Sequence, residues 1–136
     1  MKKLLFAALA VLFLLPGCKK VTPSNLPEEA FPWSAVITGA VTSSGMNIGE
    51  GYPVTCTIQG NKLQTYTDAN GAFEFVYYST QKGSSPGATT LGCEFKMNGD
   101  TYHGGVNLAA GEFQVVGVSA GHKKYQTPAK VIPVSK

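Results

Sequence analysis

From residue 35 onward, threonine, valine and aromatic residues alternate with polar ones in runs of five to eight, and nowhere does an apolar period of 3.6 persist for three turns. Period-two alternation places successive side chains on opposite faces of an extended chain, so these runs read as strands with one buried face. They fall at residues 35–42, 53–59, 63–67, 72–78, 90–97, 101–106, 112–120 and 129–134. Seven or eight short strands of this kind predict an all-β fold, a single antiparallel β-sandwich or a barrel.

Turn chemistry punctuates the runs. In "FKMNGDTYH", Asn98-Gly99 can both take positive φ and close a type I′ hairpin. In "TYTDANGAFEF", Asp68 and Asn70 can accept from local backbone amides, and Gly71 supplies the left-handed conformation. Phe73, Phe75 and Tyr77 then share one face, read as core, with Glu74 on the other.

"VITGAVTSSG", "TYTDANGAFEF" and "LAAGEFQVVGVSAGHKKY" together resemble the carboxypeptidase-regulatory-like domain, a transthyretin-like (prealbumin-like, Greek-key) sandwich. The likeness runs through Ile37, Gly39 and Val41, then Thr67, Asp68, Gly71, Phe73 and Phe75, then Gly111, Phe113 and Gly121. It departs at His122, where the family has tyrosine, and in the insertion "STQKGSSPGATT". The resemblance implies a non-catalytic β module; fold-level likeness by itself assigns no chemistry. The purine-pathway hydrolase that shares this fold uses arginines and a C-terminal Tyr-Arg-Gly-Ser, whereas this chain has no arginine and ends "VIPVSK".

The N-terminal "LLFAALAVLFLLPGCKK" poses a separate question. Its apolar run, residues 4–15, would reach roughly 18 Å as a helix, short of the ~30 Å hydrocarbon core, so it cannot span a membrane. With Met1-Lys2-Lys3 before it and Pro16-Gly17 after it, residues 1–17 read as a signal peptide. Leu15-Pro16-Gly17-Cys18 resembles the lipobox of bacterial lipoproteins, which implies a diacylglycerol thioether on Cys18 and, with Lys19 next to it, the outer membrane if the organism is Gram-negative. Acyl chains would anchor the protein firmly, and Lys19-Lys20 would add attraction to anionic headgroups. Residues 18–34, proline-rich and aperiodic, read as a tether, and residues 35–136 as the domain.

The part after residue 17 carries nine lysines against eight Asp plus Glu, which leaves no basic footprint for nucleic acid. The absence of arginine excludes sites built on a bidentate guanidinium clamp. With Cys18 assigned to lipid, Cys56 and Cys93 remain. Both should point inward from their strands, and the pair reads either as a disulfide across the core or as two buried free thiols.

Other candidate sites are weak. "GSSPG" offers Ser85 as a nucleophile with Asp100, His103 and His122 downstream, but it lacks the strand-to-helix turn that a nucleophile elbow needs. "DANG" opens like a calcium loop but has Phe73 and Ser79 where an EF-hand needs glycine and glutamate. His103 and His122 lack zinc-site spacing and read as surface residues. Tyr66, Tyr78, Tyr102 and Trp33 remain as possible exposed rings for a sugar-stacking platform. The sequence thus predicts a lipid-anchored envelope protein without catalysis, metal or any cofactor beyond the covalent acyl lipid. Its expected partner is an envelope protein, with β-augmentation at an edge strand as a mode, or else a polysaccharide.

Overall fold

The computed structural model describes residues 27–136, so the signal segment, Cys18 and residues 18–26 lie outside the described residues. Ten strands follow: β1 (Trp33–Ser43), β2 (Met46–Asn47), β3 (Pro53–Ile58), β4 (Asn61–Tyr66), β5 (Ala72–Ser79), β6 (Thr89–Met97), β7 (Asp100–Leu108), β8 (Gln114–Ser119), β9 (His122–Gln126) and β10 (Lys130–Val134). The fold is all-β, in two sheets: β4-β3-β6-β7, and a six-stranded sheet in the order β10-β1-β9-β8 with β2 and β5 also on β1. Their facing sides share one core of Trp33, Ala35, Ile37, Val41, Val54, Ile58, Phe73, Phe75, Leu91, Phe95, Leu108 and Ile132 among others.

β1 organises the larger sheet. Along one edge it pairs antiparallel with β5 from Trp33 to Ala40, then with β2. Along the other it pairs parallel with β9 over Trp33–Val36 and with β10 over Gly39–Ser43. The offset between partners is one residue larger for β10 than for β9, so the two are one long strand with an extra residue near Thr127-Pro128. Proline has no N–H to give a ladder and tolerates this break. The larger sheet is therefore mixed, where the sequence suggested antiparallel pairing throughout. After the β8–β9 hairpin the chain returns along β1 in the same direction as β1 itself.

Four hairpins close on the same geometry. Ser44-Gly45, Gln59-Gly60, Asn98-Gly99 and Ala120-Gly121 each place two consecutive residues at positive φ, the pattern whose twist matches right-handed strands. The Ala120-Gly121 turn splits the expected run 112–120 from β9, which the alternation did not reveal. Residues 110–112 form a 3₁₀ turn, so β8 itself begins at Gln114.

The packed region also starts earlier than Ala35. A 3₁₀ turn at Glu28–Ala30 leads to Phe31 and Trp33, both buried, so the last part of the expected tether lies on the domain. At the opposite end, Ser135 exchanges backbone hydrogen bonds with His103 on β7 at 3.0 and 3.1 Å, stitching the C-terminus to the edge of the smaller sheet.

Gly39 is the tightest point. A Cβ there would collide with the Lys130 carbonyl oxygen and stand 2.5 Å from Phe73 Cζ. Gly49 faces open space. In urea unfolding, Gly39→Ala should lose about 3 kcal/mol or more, whereas Gly49→Ala should stay within about 0.5 kcal/mol of the parent. Equal stabilities would refute the packing of β1 against Phe73 and β10.

Candidate functional site

The outward face of the four-stranded sheet carries the site. Cross-strand register lines up three rows: Lys62-Thr57-Thr90-Asn107, Gln64-Thr55-Gly92-Gly105, and Tyr66 with Pro53 beside the Glu94-His103 pair. In the middle row two glycines leave bare backbone. The result is a shallow depression of about 510 Å³ whose lining includes Thr55, Lys62, Gln64, Glu94 and His103. A Cβ on Gly105 would stand 3.0 Å from the Leu91 carbonyl oxygen, so the floor is kept low by a steric demand of the sheet itself. Tyr66 is 46% exposed, and Gln64 Nε2 donates to its hydroxyl at 2.9 Å, fixing the ring at the rim. This surface offers hydrogen-bond donors and acceptors of both kinds, one cation, one carboxylate and one aromatic face.

The other rings do not join Tyr66. Trp33, read as possibly exposed, is buried between Tyr77 and Tyr125, both with centroids 5.7 Å away. Tyr102 stands opposite Phe95, on the core side, and stacks on it at 5.5 Å and 9°. Tyr78 packs on Phe31, 5.3 Å between centroids, on the other sheet. A multi-ring platform is replaced by one ring beside a polar floor.

The turn residues hold architecture. Asp68 Oδ1 accepts from the amides of Asn70 at 2.8 Å and Ala72 at 3.0 Å. Gly71 has φ +75°, and a Cβ on it would collide with the Ile48 carbonyl oxygen. The buried Thr67 hydroxyl donates to Gly49 O at 2.7 Å and accepts from Tyr52 N at 3.0 Å, while Asn47 Nδ2 donates to Asn70 O. Phe73 and Phe75 enter the core. Of the two capping side chains expected in "DANG", Asp68 serves backbone amides, and among the described residues no three His, Cys, Asp or Glu side chains gather for a metal.

His122, expected on the surface, is 1% exposed. Its Nδ1 lies 2.7 Å from the Phe31 carbonyl oxygen, which can only accept, so Nδ1 carries a proton and donates. Nε2 lies 2.9 Å from Ser34 Oγ and 3.9 Å from a Glu28 carboxylate oxygen, whose other oxygen is 3.3 Å from Lys124 Nζ. Position 122 can take histidine because residues 28–31 fold over it and, together with Ser34 on β1, supply its partners, an arrangement with no local signal in "GHKKY".

Ser85 is exposed and Asp100 stands at the far end of the sheet, about 25 Å along β6 from Thr89 at strand rise. The loop around Ser85 is pinned by its neighbour: Trp33 Nε1 and Gln59 Nε2 donate to Ser84 Oγ, which donates to Gln81 O. Among the described residues, Ser85 and Asp100 are not brought together there.

Cys56 and Cys93 are buried free thiols. They do not face each other across the core. They lie on adjacent strands of one sheet, Cys56 opposite Leu91 and Cys93 opposite Val54. That diagonal relation separates side chains by roughly 7 Å, beyond the Cβ separation of about 4 Å that a disulfide requires. Burial pushes the thiols up to about 12 for Cys56 and about 11 for Cys93.

No family model matches the chain, and no curated protein matches it. A solved structure, the dioxygenase domain of a dioxygenase carbohydrate-binding protein fusion from the cellulolytic bacterium Streptomyces sp. SirexAA-E, is similar at 12% identity and a TM-score of 0.46, over 85% of this chain and 86% of that one. A likeness this distant carries no chemistry to the present chain.

Two outcomes test this geometry. At pH 8 the folded chain should leave both core thiols unalkylated, while in urea both should react without reductant; alkylation that requires reductant would establish a bridge and a different register. His122→Ala should cost about 2 kcal/mol in thermal or urea unfolding, by stranding buried partners; an unchanged midpoint would refute the buried contacts.

Proposed function

We propose that the protein is a non-catalytic binding module of the cell envelope, a transthyretin-like, carboxypeptidase-regulatory-like sandwich anchored through acylated Cys18. We further propose that it holds a polysaccharide segment across the outward face of the four-stranded sheet. The observation that carries this reading is the row Gln64-Thr55-Gly92-Gly105 with Tyr66 at its rim. A glycine floor admits a flat polyhydroxylated chain close to backbone, amide and hydroxyl side chains meet its hydroxyls, and an aromatic face stacks on a sugar ring.

The position of the N-terminal latch supports presentation. Residues 28–31 lie against the six-stranded sheet, through Phe31 on Tyr78 and through His122. The tether therefore leaves from one layer and the polar row faces away from the other. An envelope protein adding a strand is the competing reading. The free edge with no charged residue, β8, carries a bulge between Val115 and Gly117 that interrupts a regular ladder, which favours the polysaccharide.

Binding to purified envelope polysaccharide should weaken roughly tenfold in Tyr66→Ala, with the fold unchanged by circular dichroism. Wild-type affinity in that variant, or capture of one envelope protein independent of Tyr66, would overturn the site. The intact mass of the membrane-extracted protein should begin at Cys18 and include acyl chains; a mass without lipid would overturn the anchor.

A further inference from the structure

β8 is exceptional among the strand edges. Val115, Val116 and Val118 are 49%, 60% and 63% exposed, and the strand Gln114–Ser119 has no charged residue to guard it. Edge strands of soluble domains are normally blunted by charge or covered. Here β4 carries Lys62 and β7 is stitched to Ser135, but β8 has neither protection. The smaller sheet does not reach over it, so valines that follow the inward-facing register of Tyr125 and Lys123 stand in the open.

The place where the chain enters the domain says what meets this patch. Glu28 contacts His122 and Lys124, both on β9, and β9 is the strand hydrogen-bonded to β8. The chain thus enters along β9, the strand next to β8, on the face of His122 and Lys124, while Val115 and Val118 project from the other face of the same hairpin beside Tyr125 and Lys123. Cys18 precedes Glu28 by ten residues, a span of at most ~35 Å fully extended. Whatever surface holds Cys18 lies within that reach of the hairpin.

We infer that the β8–β9 hairpin docks on the lipid surface that carries the chain's own anchor, with Val115, Val116 and Val118 entering the boundary between headgroups and acyl chains. The inference rests on the reading of Cys18 as lipidated. Apolar side chains beside lysines are the composition of an interfacial contact. Lys123 stands opposite Val118 and Lys124 opposite Gly117, and Lys19-Lys20 follow the anchor. Among the described residues Lys123 has no carboxylate within ion-pair distance, whereas Lys124 is held by Glu28. Valine insertion therefore supplies most of the attraction and the lysines bias it toward anionic headgroups. A second copy or a partner strand would need a regular ladder on β8, which the Val115–Gly117 bulge denies.

The test places an environment-sensitive fluorophore on Val118→Cys in the membrane-extracted full-length protein, with Thr57→Cys on the opposite face as reference. The buried native thiols do not compete for label. In phosphatidylcholine vesicles containing phosphatidylglycerol, emission at position 118 should shift to the blue and be quenched by nitroxide-bearing lipid, while position 57 remains in water. Replacing Val115 and Val116 by serine should lower the quenching roughly tenfold. Water-like emission at position 118 equal to that at 57 overturns the inference, as does shielding that rises with protein concentration in the absence of vesicles, which marks a second copy. The intact mass is read on the same sample. If it lacks acyl chains the anchor reading fails by itself, and added vesicles still decide whether the hairpin docks.

Discussion

The eleven-residue β1 has both of its edges filled, and the rest of the domain depends on that double pairing. β5 comes from the middle of the chain, whereas β9 and β10 come from its last fifteen residues, so the central strand is completed only when the C-terminus returns. Contacts that span some ninety residues must beat a loop-closure entropy before they reward the fold. The pressure at Gly39 follows from the same arrangement. Phe73 arrives from one neighbour and the Lys130 carbonyl from the other, and only hydrogen fits between them.

Completion of β1 also explains the burial of a polar cluster on the far side of that sheet. β9 presents His122 on the same face as Ser34, and residues 28–31 then lie across both. A histidine in such a place would be costly without partners. It has a carbonyl on one nitrogen and a hydroxyl on the other, so the cost is met by groups that are local to β1 and its preceding turn. The N-terminal segment is thereby latched to β9 through polar contacts and through Phe31 on Tyr78.

Much of the architecture was legible because it is written in period two and in turn residues. Alternation located most of the strands, and Asn98-Gly99 announced its hairpin. The other three hairpins use Ser44, Gln59 and Ala120 at positive φ, residue types with little intrinsic preference for that conformation. They were invisible because their turns are imposed by the pairing of flanking strands, and the β8–β9 division was lost with them. The burial of His122 and Trp33 and the diagonal placement of Cys56 and Cys93 depend on register and on a returning segment, which periodicity does not encode. Parity showed that both thiols point inward; which residue faces which is a property of strand pairing. The polar row was missed for the same reason, since Gln64, Thr55, Gly92 and Gly105 come from four strands and no two are adjacent in sequence.

The latch changes what a short anchor does. A flexible tether attached to a freely hanging domain fixes only a maximum distance, and every orientation within that radius is sampled. Here residues 28–31 are held against β9, so under the proposed anchoring through Cys18 the hairpin beside them would be close to the bilayer. With the proposed anchor, confinement within a few tens of ångströms would raise the effective concentration of lipid surface seen by the hairpin, so that an intrinsically weak contact would be enough to populate one orientation. In the proposed orientation the six-stranded sheet would be on the membrane side at its β8–β9 end, and the polar row of the other sheet would be directed elsewhere, accessible to the proposed polymer. The proposed anchoring, docking and binding would then use three separate surfaces, joined by the pairing of β1 with its neighbours.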